Sequence, residues 1–278
     1  MATSSPADAP PFRGEFRIAA EADAEGRTLL REQSVCAPFH LSKTYWTGEA
    51  LLVQAVNATA GVFAGDRLEL SVRVGAGARV LLTSPSAHRI HTMPSGSACQ
   101  VQDFRVARGG WLEIMPELFI PQAGCRYRQQ TRIEVEQGGG LFFCETLAPG
   151  RVACGEQFAF TRVEWALDLR VGDALVARER YVLQPGDASL WGLRHEGRGY
   201  FAACYLVSPN ALSAADLPPP GEALASDAAW GGWSLVAPGV AVLRVLARDS
   251  EALRAALRTA RSHWADRFPA LRADARKL

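Results

Sequence analysis

Long apolar runs are missing from this 278-residue chain. No stretch of about 18 apolar residues appears, so no helical membrane span is expected. An excess of one charge is missing too: 30 Lys and Arg stand against 29 Asp and Glu. A near-neutral chain lacks the basic surplus that a nucleic-acid surface usually carries. The six cysteines, Cys36, Cys99, Cys125, Cys144, Cys154 and Cys204, form no C-x-x-C pair, which excludes zinc-finger and thioredoxin-like readings. Residues 1–11 are polar, rich in Pro, Ala and Ser, and have no charged-then-apolar leader. They read as a disordered tail before a single domain over residues 12–278. The protein reads as cytoplasmic, and its even cysteine count as small apolar thiols rather than disulfides. Catalytic signatures are absent as well. There is no G-x-S-x-G elbow, no phosphate-binding glycine loop, no G-x-G-x-x-G and no H-E-x-x-H.

What the sequence does have is period two. Leu68, Leu70, Val72 and Val74 alternate with Glu69, Ser71 and Arg73. Tyr127, Gln129, Thr131, Ile133 and Val135 alternate with a charged outer row. Both are half-buried strands. Further strands are expected at 79–83, 100–106, 111–115, 141–146, 157–169, 174–183, 200–207 and 240–246. Three segments, SVRVGAGARVLL, DFRVARGGWLEI and RIEVEQGGGLFF, each read strand, glycine corner, strand. The corners are assigned to Gly75, Gly109 and Gly138, because glycine adopts positive φ without steric cost. The recurrence predicts a mainly β fold of stacked, β-helix-like layers. One helix is expected at 251–268, capped by Ser250, with Glu251 in its first turn and Leu253, Leu257, Ala260 and Trp264 on one face. That stripe packs on the body or docks a helical partner. A second helix is expected near 221–229.

Few residues suggest chemistry. His88 and His91, with Cys99 eight residues on, could hold a borderline metal or could simply pack. Glu145 lies inside the apolar LFFCET, Glu156 follows a glycine in GRVACGEQF, and Asp66 stands at the Gly65 corner. A buried acid must be paired or have work to do, because an isolated buried charge is costly. Glu145 and Glu156 could serve a β-solenoid carbohydrate-active enzyme. The acids could also line a wet passage for a cation. In the structural alternative, Glu145 pairs with Arg151 and Asp66 caps its own turn. A metal-free β-rich binding module also remains open.

A longer pattern narrows these readings. NATAGVFAGDRLELSVRVGAGARVLLTS from Asn57 resembles the core signature of the urease accessory protein UreD (UreH) family. GGWLEIMPELFIPQAGCRYRQQ at 109–130 and LFFCETLAPGRVACGEQFAF at 141–160 are similar to two further blocks of that family, in order. Departures occur at Ala60, Met115, Gln122 and in TSPSAHRIH. The resemblance implies a non-enzymatic maturation factor for a nickel enzyme. Its partners would be urease apoprotein, a UreF-like helical accessory protein and a UreG-like GTPase, with two copies in the assembly. No cofactor would be held tightly: nickel would be in transit through an internal tunnel, and GTP would sit only on the partner GTPase. Asp66, Glu145 and Glu156 match acids in the family motifs and would line that route. His88 and His91 would mark its mouth, and Arg151 would hold an acid in place.

Overall fold

The alternating segments pair into two sheets that face each other across a shared apolar layer. A computed structural model describes residues 11–185, 199–219 and 228–275. In chain order the strands begin with β1 (Arg13–Ala22), β2 (Thr28–Cys36), β3 (Phe39–Leu41), β4 (Tyr45–Thr47), β5 (Ala50–Asn57) and β6 (Arg67–Val74). Next come β7 (Arg79–Thr83), β8 (His88–Ile90), β9 (Ala98–Val106), β10 (Trp111–Met115), β11 (Phe119–Pro121) and β12 (Arg126–Val135). The last are β13 (Gly140–Leu147), β14 (Arg162–Val171), β15 (Ala174–Leu183), β16 (Tyr200–Val207), β17 (Ala229–Ala237) and β18 (Val240–Ala247). One α-helix, α1 (Ser250–Trp264), follows among the described residues. None of the described helices is long and apolar enough to cross a membrane.

The smaller sheet has the order β15-β14-β12-β9-β6-β1-β2, and the larger runs β17-β18-β16-β13-β10-β7-β5-β3. From β5 to β14 the chain alternates between them, and neighbours within each sheet are parallel. Each circuit is a smaller-sheet strand, a glycine corner and a larger-sheet strand, so the stacked β-helix-like layering is present. The corner assignment needs one correction. Positive φ falls at Gly77 (72°), Gly109 (72°) and Gly138 (85°), not at Gly75. The corners stack closely: a Cβ on Gly110 would lie 2.7 Å from the Gly75 carbonyl oxygen.

Inward residues of β6, β9, β12 and β14 meet inward residues of the larger sheet in one core that includes Phe16, Val72, Phe104, Ile133, Leu141 and Phe143. The outer face of the larger sheet is covered by α1, which buries Leu253, Ala256, Leu257, Ala260 and Trp264. The predicted stripe is therefore taken up by the protein's own core. β13 lies between both cores, and all eight of its residues are buried, the pattern of a strand covered on both faces.

Local chemistry explains the other departures. Asp249 caps α1, its carboxylate accepting from the Ala252 N–H at 2.7 Å, and Ser250 is the first helical residue. A carboxylate adds favourable charge at a helix N-terminus. The helix ends at Trp264, and Pro269 opens a short 3-10 turn. β14 begins at Arg162 rather than 157, because Phe158 adopts a positive φ of 51° and its N–H bonds to the Pro149 carbonyl. All but the last residue of the tail expected at 1–11, and most of the helix expected near 221–229, lie outside the described residues.

Candidate functional site

Parallel stacking places like positions of successive circuits side by side. On the inward face of the smaller sheet, Gln100 of β9 lies beside Gln129 of β12, and Gln102 beside Thr131. These four polar residues make a block flanked by Leu68 and Leu70 of β6 and by Trp165 and Leu167 of β14. Opposite them β13 presents Glu145, 5% exposed. Tyr127 and His88 close one end.

Hydrogen bonds join the set. The Gln129 amide donates to Glu145 Oε1 at 3.2 Å. The Tyr127 hydroxyl donates to Gln100 Oε1 at 3.0 Å and stands 3.4 Å from His88 Nε2. The Thr131 hydroxyl donates to Gln102 Oε1 at 3.1 Å. A cavity of about 130 Å³ opens on Gln100, Gln102, Gln129, Glu145, His88 and Trp165. That leaves room for several waters. The Trp165 indole N–H is buried and meets no acceptor among the described residues.

The electrostatics follow from burial. Burial pushes the Glu145 carboxyl up to about 7, against the opposing pull of the Gln129 amide and of Arg244. Burial holds the His88 imidazole down at about 4, so it is neutral at ordinary pH. Tyr127 is pushed well above the phenol range, again by burial. Beyond Glu145, Arg244 of β18 pairs with Glu179 of β15 and places its guanidinium 5.4 Å from the Tyr205 ring centre. The interior therefore holds a carboxyl near half-protonation and neutral amide and hydroxyl oxygens, with a partly exposed cation beyond them already matched by another acid.

Of the five residues the sequence singled out, only Glu145 and His88 share this cavity. Asp66 is 2% exposed, and its carboxylate accepts from the Phe12 and Phe63 N–H groups, both at 2.8 Å. It ties the lead-in of β1 to its own corner, as the capping alternative predicted. Glu156 pairs with Arg151, which holds its carboxyl below the usual range, and also accepts from Ala123 N–H at 3.2 Å. The Arg151 pairing expected for Glu145 belongs to Glu156. His91 stacks on Phe63 with ring centres 4.4 Å apart and points Nε2 at the Ala60 carbonyl. No group of three His, Cys, Asp or Glu able to hold a metal occurs among the described residues, so His88, His91 and Cys99 do not form the cluster their spacing allowed. The glutamine block was missed, although Gln129 and Thr131 stood at inward positions of a strand whose inward neighbours were apolar.

Comparison with known proteins gives a consistent result. The family model described as UreD urease accessory protein matches residues 13–277. Urease accessory protein UreD of Opitutus terrae is 42% identical over 272 residues, covering 96% of this chain and 99% of that protein. The protein of the same name from Deinococcus radiodurans is 36% identical over 195 residues, 69% of this chain and 70% of its own. That from Acetivibrio thermocellus is 32% identical over 180 residues, 64% and 67% of the two chains.

Proposed function

The chain belongs to the UreD urease accessory protein family, and from that membership we propose that it serves urease maturation as a non-catalytic scaffold that conducts nickel through its interior. The observation that carries the conduit is the polar block Gln100, Gln102, Gln129 and Thr131 facing Glu145 across a cavity between the sheets. Amide, hydroxyl and single carboxyl oxygens bind Ni²⁺ more weakly than clustered imidazoles or thiolates, so an ion can enter and leave. A cation reaching Glu145 exchanges with the proton that burial keeps there, and its dwell time lengthens as pH rises. His88, neutral and beside Tyr127, suits the mouth of the route. Asp66 and Glu156 are positioning groups in this reading, and His91 packs a corner.

On the same reading the partners are urease apoprotein, a UreF-like helical protein and a UreG-like GTPase that alone uses GTP. Two copies of this chain are bridged in the assembly. A carbohydrate-active site built on Glu145 and Glu156 has less support, because those acids have separate environments and Glu156 is matched by Arg151.

The test is urease activation in cells expressing the urease subunits and accessory proteins with each variant. Glu145→Gln combined with Gln129→Leu is expected to lower activation several-fold while the accessory complex still co-purifies. Glu156→Ala is expected to leave activation near normal. Full activation by the double variant would overturn the conduit. Failure of the chain to associate with any urease or accessory subunit would overturn the scaffold.

A further inference from the structure

β13 and β16 run antiparallel, and their register sets Cys144 directly opposite Cys204. All six cysteines are present as thiols. The Cys144 thiol donates to the Cys204 sulfur, with 2.9 Å between the two Sγ atoms. Opposed residues on antiparallel strands have Cα atoms about 4.5–5.5 Å apart, inside the range of roughly 4.4–6.8 Å that a disulfide spans. A shared metal ion suits the pair less well. Two thiolates on one tetrahedral ion, each at about 2.3 Å, would stand about 3.8 Å apart, farther than these sulfurs.

Access is selective. Cys144 and Cys204 are 1% and 0% exposed, in the apolar layer between the larger sheet and α1 that includes Leu206 of β16, Leu243 of β18 and Leu253 of α1. Cys144 is a lining residue of the interior cavity, but its side chain packs with Phe142 on the α1 face of β13, opposite Phe143. Burial of both sulfurs keeps a bulky anionic reagent out and leaves a small neutral molecule as the oxidant able to penetrate the layer.

We propose that Cys144 and Cys204 form an oxidation-responsive dithiol that closes to a cross-strand disulfide when a small peroxide penetrates the layer beneath α1. The Cys144 sulfur attacks one peroxide oxygen and the O–O bond breaks. The leaving hydroxide takes the thiol proton as water, which leaves a sulfenic acid. The Cys204 sulfur then displaces the sulfenic hydroxyl, which departs with the Cys204 proton as a second water. Two thiols and one peroxide become one disulfide and two waters. The new bond clamps β13 to β16 one residue from Glu145. This inference is independent of any nickel route.

The experiment treats the folded full-length chain with hydrogen peroxide, and in parallel with a bulky anionic aromatic disulfide. The protein is then unfolded, alkylated and mapped by non-reducing peptide mass spectrometry. The expected result is a peroxide-dependent species linking the Cys144 and Cys204 peptides. It is intramolecular at high dilution, reversed by dithiothreitol and absent from Cys204→Ser, and the bulky reagent does not form it. Cys144 and Cys204 peptides that stay fully alkylated after peroxide would overturn the proposal. So would linkage through Cys36, Cys99, Cys125 or Cys154 instead. If Cys204→Ser does not fold, the wild-type peptide map decides alone.

Discussion

At the scale of single residues, the interior holds two titrating groups that burial shifts in opposite senses. Glu145 has a folded value of about 7 against an ordinary 4.5. The folded protein therefore keeps a proton that the unfolded chain releases between those pH values. Stability falls as pH rises through that window, by roughly 3 kcal/mol in total. His88 has a folded value of about 4 against 6.5. The unfolded chain takes up a proton there that the folded one refuses, so stability falls as pH drops from 6.5 towards 4. The two trends oppose each other over most of their span. Glu145→Gln removes the first and leaves the second. The urea midpoint of the variant should climb between pH 4.5 and 6.5, while the wild type stays nearly flat. Parallel profiles for the two proteins would show that Glu145 does not titrate in this window.

At the scale of elements, two joints can be tested separately. The corner stack depends on missing side chains, because a Cβ on Gly110 would press on the Gly75 carbonyl at 2.7 Å. Backbone cannot swing aside as a side chain can, so Gly110→Ala should cost about 1–3 kcal/mol. Gly232 of β17 has open space around its Cβ position, and Gly232→Ala should change stability by less than about 0.5 kcal/mol. Equal effects in thermal unfolding would remove the corner argument. The second joint fastens α1 to the larger sheet. Arg261 Nε and Nη2 lie 2.5 and 3.0 Å from the Glu113 carboxylate oxygens, and the Glu113 side chain is 1% exposed. Removing a cation that faces a buried acid typically costs about 3–5 kcal/mol, while replacing both partners by apolar groups is often neutral. Arg261→Met should therefore be strongly destabilising in urea titrations, and Arg261→Met with Glu113→Leu should regain most of the loss. A double variant no more stable than the single one would show that Arg261 acts through packing alone.

At the scale of the whole molecule, the layered fold was legible because repetition writes itself along the chain. The alternation in β6 and β12 and the glycine corners predict strands that stack. The corner offset of 29 residues between Gly109 and Gly138 matches the register that sets Gln100 beside Gln129 and Gln102 beside Thr131. With Gly77 as the first corner, the offset to Gly109 is 32 residues, the same as between Val74 and its partner Val106. Applied to the polar residues, those offsets point to the interior block. The block was hidden because glutamine in a strand suggests an outer face until its neighbours in the stack are known. Asp66, Glu156 and His91 lie outside the cavity, holding corners through backbone hydrogen bonds, an ion pair and a stacked ring, placements that sequence position alone does not separate from a site. The cavity between the sheets gives the last prediction. If the cavity conducts cargo, removing a polar group from its wall should slow transit without loosening the shell. Gln102→Leu keeps the strand and replaces an amide that faces the cavity, so the fold should survive with less than about 1.5 kcal/mol change. Urease activation should fall at limiting nickel and recover in part when nickel in the medium is raised, because a slower conduit delivers more from a higher supply. A variant that loses activation equally at every nickel level would place Gln102 in partner assembly rather than in the passage.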